Sequence, residues 1–118
     1  MHEQDRDPNC LFCKVVAGEI PASIVHSGDE TVAFRDINPQ APTHILVVPR
    51  RHVPNAAAAA GQDVWEAVMG TATELALREN LGDSGYRLVA NSGADAGQSV
   101  DHFHVHVLGG RRMAWPPG

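Results

Sequence analysis

Three histidines, His102, His104 and His106, occupy alternate positions within five residues, and the only two cysteines form Cys10-Leu11-Phe12-Cys13. These are the residues of the chain best suited to chemistry. In an extended strand alternate side chains share a face, so the three imidazoles stand side by side while Phe103, Val105 and Val107 turn the other way. A polar, solvated sheet surface explains one such histidine more readily than three. A single ion held by all three is disfavoured by distance: the outer pair lies ~13 Å apart along a strand, and an imidazole places a metal only ~5–6 Å from its Cβ. The three therefore divide their work. A neutral imidazole, with an ordinary pKa of ~6.5, can attack phosphorus at pH 7, and a neighbour can donate a proton to a phosphoryl oxygen or a leaving group.

Phosphoryl chemistry also needs donors around anionic oxygens. Asn91, the glycine-containing loop 93–97, Gln98 and Ser99 stand just before the triad, and glycine lets backbone N–H groups approach a phosphate closely. The Cys-x-x-Cys pair leaves three readings: metal ligation, redox chemistry, or two buried apolar cysteines on a short helix. The redox reading lacks the βαβ context of a thioredoxin-like motif.

The elements that must position these groups follow from residue pattern. A helix of about two turns is expected from Asn9, an N-cap type, to Gly18, with Pro21 blocking its continuation. Ile24-Val25-His26 and Val32-Ala33-Phe34 flank the turn-rich Ser27-Gly28-Asp29-Glu30 and predict a β-hairpin. Pro39 and Pro42 make 36–43 a loop, and His44–Val48 reads as a central strand ended by Pro49. Over 62–80 the apolar period changes: Val64, Val68, Ala72 and Leu75 form one helical stripe, and Trp65, Met69 and Ala76 a neighbouring one. Strands over 86–91 and 102–108 complete an antiparallel α+β domain with a sheet of about five strands, one long helix and one short one.

Composition narrows the function classes. The chain has 118 residues, the size of one domain, and its formal net charge of −5 argues against a nucleic-acid binder that works by neutralising phosphates. With 43% hydrophobic and 19% charged residues it is globular in composition. Residues 1–9 read as a polar, flexible lead before a single domain over 10–118. No apolar segment resembles a secretory signal or a membrane span, so a cytoplasmic protein is expected, where a structural disulfide is disfavoured.

The run Gln98-Ser99-Val100-Asp101-His102-Phe103-His104-Val105-His106-Val107-Leu108 resembles the signature of the histidine triad superfamily, in which three histidines alternate with apolar residues. Phe34–His44 and the ending Met113-Ala114-Trp115-Pro116-Pro117-Gly118 are similar to its HINT branch, the histidine triad nucleotide-binding proteins. The likeness spans residues 10–118 and implies the family's HIT-like fold. It also implies hydrolysis of purine nucleoside phosphoramidates of the AMP or GMP type, through a covalent nucleotidyl-histidine and without an organic cofactor. His104 matches the nucleophile and His44 a further active-site histidine. His106, Asn91, Gly97, Gln98 and Ser99 match phosphate contacts. Asp36 matches the residue that holds the ribose hydroxyls, and Ile37 one that packs by the nucleoside. The resemblance further implies a homodimer joined through sheet edges and long helices, with Trp115 shaping the leaving-group pocket. Bacterial-type relatives carry the Cys-x-x-Cys pair, and matching positions assign Cys10, Cys13, His52 and His102 as a structural zinc set. Two departures, Asp101 for an apolar or aromatic residue and Ala114 for a frequent histidine, bear on leaving-group preference. The alternatives are a nucleotide-binding regulatory module with incidental turnover and a dinucleoside polyphosphate hydrolase. The Trp-Pro-Pro-Gly ending argues against the latter.

Overall fold

The strand Thr43–Pro49 is apolar on both faces because both faces are covered. The computed structural model describes residues 6–118, so residues 1–5 of the expected lead, His2 among them, lie outside it. In chain order the elements are α1 (Leu11–Val16), β1 (Ile24–Ser27), β2 (Thr31–Arg35), β3 (Thr43–Pro49), α2 (Ala56–Ala59), α3 (Asp63–Arg78), β4 (Tyr86–Val89) and β5 (Val105–Gly109), with a short 3-10 turn over Ala94–Ala96. The strands form one antiparallel sheet in the order β1-β2-β3-β5-β4, with β1 and β4 at its edges. This is the expected α+β fold.

Alternation in β2, β3 and β5 sorts side chains between two apolar layers. Ala33, Ile45, Val47, Val105 and Val107 pack with Val68, Ala72, Leu75 and Ala76 of α3. Val32, Phe34, Leu46 and Val48 pack with Phe12, Cys13 and Val15 of α1. The long helix thus closes one face, and the short helix covers part of the other beside the histidines.

Three local expectations are corrected. The helix begins after Cys10, whose Sγ accepts the Cys13 N–H, rather than after Asn9, which sits one residue earlier with its own N–H on the Asp7 carboxylate. One short helix was expected, but Ala56–Ala59 forms a second, one-turn helix because the Asn55 side chain caps it at the Ala58 N–H. The last strand starts at Val105, not His102, because the Phe103 N–H is drawn to the Val53 carbonyl at 2.6 Å, outside the sheet. Residues 6–9 are held by an Arg6–Glu19 ion pair and by the Asp7 N–H on Cys13 Sγ.

Gly109 ends β5 where Leu81 crosses it, and a Cβ there would stand 2.6 Å from Leu81 Cδ1. Leu81 is itself buried and cannot swing aside. Gly109→Ala is expected to cost ~1–3 kcal/mol through overpacking, read from a urea unfolding midpoint.

Candidate active site and metal centre

His104 and His106 project from β5 and its approach onto the face that carries α1, while Phe103 turns to the other face and stacks on Trp65 of α3 at 5.5 Å. The alternation read from the sequence therefore holds beyond the end of the hydrogen-bonded ladder. In the register of β3 and β5, His106 stands opposite Leu46 and His44 opposite Leu108, which makes His44 and His106 diagonal neighbours on one face.

Hydrogen bonding decides which nitrogen of each ring carries the proton. A carbonyl only accepts, so His104 Nδ1, 2.7 Å from the His102 carbonyl, is the N–H donor, and a neutral ring then carries its lone pair on Nε2. His44 behaves in the opposite way. The Gln40 N–H donates to its Nδ1 at 3.0 Å, so its proton sits on Nε2, 2.9 Å from His106 Nδ1. His106 accepts there and carries its own proton on Nε2. Two adjacent rings, with centroids 5.1 Å apart, thus present a lone pair and an N–H respectively.

Burial keeps these rings neutral. It lowers the pKa of His44 and His104, and it pushes His106 down to about 4, helped by the neighbouring His104 and His44. Asp36 opposes the shift at all three rings but is outweighed by burial. Its Oδ2 lies 3.4 Å from His44 Nε2, and its Oδ1 accepts the Asn38 N–H at 2.8 Å, fixing the turn between β2 and β3. Asp36, His44 and His106 lie within metal-ligating reach of one another. The Gln40 N–H nevertheless occupies His44 Nδ1 and leaves Nε2 protonated, so this group is a hydrogen-bonded chain rather than an open set of metal ligands. Arg111 steadies it by donating to the Gln40 carbonyl at 2.9 Å.

A pocket of about 330 Å³ opens beside the rings. Of the residues expected to contact a nucleotide, Asp36, Ile37, Ser99, His104 and His106 line it. Ser99 makes no hydrogen bond among the described residues, so its hydroxyl is available. Gly97 and Gln98 are placed differently: their N–H groups close the loop on Ala94 and Gly93, and the Gln98 side chain binds the Gly93 N–H and the Pro54 and Val100 carbonyls. Gly93 and Gly97 both take positive φ there. Asn91 is half-buried after β4, and Trp115 is 82% exposed. None of these four lines the pocket. The apolar wall was missed from sequence: Leu11, Phe12 and Val15 of α1, with Phe34 and Leu46. The sequence signal was the helical spacing of Leu11, Phe12 and Val15, which marks an apolar stripe but not what faces it.

Cys10, Cys13, His52 and His102 converge next to the triad, with all ligand atoms within 4.8 Å of one another. His102 Nδ1 lies 3.3 Å from Cys10 Sγ and 3.5 Å from Cys13 Sγ, and His52 Nδ1 is 3.4 Å from Cys13 Sγ. Tetrahedral zinc, with Zn–S of ~2.3 Å and Zn–N of ~2.0 Å, sets sulfur and nitrogen ligands ~3.5 Å apart. The donor set fits. The His102 Nε2–H donates to the Pro49 carbonyl at 2.8 Å, which turns the Nδ1 lone pair toward the thiols, the usual support for a metal-binding histidine. Burial pushes the Cys13 thiol up to about 11 and His102 down to about 4 in the absence of an ion.

Comparison with known proteins agrees with this geometry. The HIT domain matches residues 17–113. An uncharacterized HIT-like protein of Synechocystis is 46% identical over 112 residues, covering 92% of this chain and 96% of the relative. A 14 kDa zinc-binding protein of Zea mays is 44% identical over 116 residues, covering 95% and 90%. The crystal structure of a HIT family hydrolase from Legionella pneumophila superposes with a TM-score of 0.90 at 46% identity, covering 93% of this chain and 100% of that one. The chain belongs to the HIT domain family. Among its described residues, no helix is long and apolar enough to cross a membrane.

Proposed function

We propose that this protein is a purine nucleoside phosphoramidase of the HINT branch, acting on AMP- or GMP-type phosphoramidates. The opposed tautomers of His104 and His106 carry the reading, because a pocket that merely binds nucleotide has no need of a buried, correctly aimed lone pair. In the proposed reaction His104 Nε2 attacks phosphorus and the P–N bond breaks. The amine leaves with a proton supplied from solvent water, while the neutral His106 and His44 each keep their single N–H. The His106 N–H and the Ser99 hydroxyl stabilise the phosphoryl oxygens. Water then displaces His104 and releases the nucleoside monophosphate. Asp36 and Ile37 flank the nucleoside, and the apolar wall from α1 suits a purine. His104→Ala is expected to lose ~10³-fold or more in turnover of a model adenosine phosphoramidate. Activity retained in that variant rules out the covalent route and favours a nucleotide-binding module.

The Cys10, Cys13, His52 and His102 set would hold a structural zinc ion, whose chemistry there is to bind two thiolates and two neutral imidazoles in a closed tetrahedron. Support comes from the ligand distances and from the zinc-binding relative of Zea mays. Protein purified without chelators should contain about one zinc per chain by elemental analysis; none would remove this assignment. Free, buried thiols suit the reducing cytoplasm, where we place the reaction.

We infer a homodimer as well. Strand β4 is an open edge, and Trp65, Met69 and Leu77 of α3 line a groove on the surface, with Leu77 exposed. Light scattering should return twice the chain mass at micromolar concentration. Leu77→Glu should shift it toward the monomer, whereas a wild-type monomer contradicts the dimer.

A further inference from the structure

The four thiol and imidazole ligands come from three segments, and each segment runs directly into the proposed nucleotide pocket. Cys10 and Cys13 stand on the first turn of α1, whose Leu11, Phe12 and Val15 line that pocket. The Phe12 ring meets His104 edge-on at 5.0 Å and His102 at 6.1 Å. His52 lies two residues before Pro54, whose carbonyl holds the Gln98 side chain at 2.8 Å, and Gln98 precedes Ser99 on the pocket wall. His102 offers its ring to the cluster and its carbonyl to His104 at 2.7 Å.

These segments meet at the cluster with thiol–imidazole distances of 3.3–3.5 Å, weak as hydrogen bonds between the segments themselves. Helix α1 has six residues, too few to be stable by itself, so its position depends on what it packs against and what it ligates. An ion bound to all four side chains would tie α1, the Ser99 loop and the carbonyl that orients His104 to one point.

We propose that metal occupancy of this cluster controls the nucleotide pocket, so that zinc and nucleotide bind with positive, reciprocal coupling. The proposal rests on the zinc and nucleotide readings above and goes beyond a structural role for the ion. Zinc holds the apolar wall, Ser99 and His104 in the binding arrangement. Removing it loosens all three while the core between α3 and the sheet stays intact.

The test uses the full chain, stripped with a chelator and titrated with Zn²⁺ and with AMP. Zinc is expected to raise AMP affinity about tenfold in calorimetry, and saturating AMP to raise zinc affinity by the same factor in competition with a chromophoric chelator. Amide exchange should slow over Leu11–Val16 on zinc binding, with little change in β3. His52→Ala, outside the pocket, should weaken zinc binding and bring AMP affinity down to the metal-free level. Zinc uptake with unchanged AMP affinity overturns this proposal alone, as does a His52→Ala variant that loses zinc yet binds AMP like the loaded protein. Protection spread evenly over the chain also overturns it, because it reports only global stabilisation. No zinc uptake by the wild type removes the zinc reading and this proposal together.

Discussion

The site depends on one hydrogen bond, between the His102 carbonyl and His104 Nδ1 at 2.7 Å. It converts a ring that could present either nitrogen into one whose lone pair faces the pocket. Burial supplies the second condition by keeping that ring uncharged near neutral pH. A neutral imidazole with the wrong tautomer would offer phosphorus an N–H, and a protonated one would offer nothing to attack with. His106 is set the other way by His44, which is set in turn by the Gln40 amide. The chemistry of two rings therefore traces to two backbone groups, one in the approach to β5 and one in the loop before β3.

The two faces of the sheet divide structure from function. On the α3 side the packing of Ile45, Val47, Val105, Val107 and Phe103 fixes the register and height of β5. On the other side the same strands deliver His44, His104 and His106 to a pocket roofed by a six-residue helix. Such a helix stays in place only through its contacts, and it carries two thiols at the end nearest His102. The Cys and His cluster thus stands where a small domain lacks packing of its own. This is the setting in which metal ligation contributes most to order.

Much of this was legible in the sequence because side-chain alternation survives where the ladder does not. His102 and His104 precede the first paired residue of β5, yet they still face the α1 side, since an extended backbone alternates whether or not its N–H groups pair within the sheet. The pairing of His44 with His106 and the tautomers were not legible. They depend on the β3–β5 register and on the Gln40 amide, which residue types do not encode. Gln98 shows the opposite failure: its type suits a phosphate contact, but its amide is taken by the Pro54 and Val100 carbonyls. The wall from Leu11, Phe12 and Val15 was visible only as an apolar stripe, because what a short helix faces is decided by tertiary packing.

In the resting protein His104 and His106 are neutral and oppositely protonated. Long-range ¹H–¹⁵N correlation spectra of ¹⁵N-histidine-labelled protein at neutral pH read this directly. The expected spectrum shows a protonated Nδ1 with a free Nε2 on His104, and a free Nδ1 with a protonated Nε2 on His106. The same tautomer on both rings, or a charged His104, would contradict it.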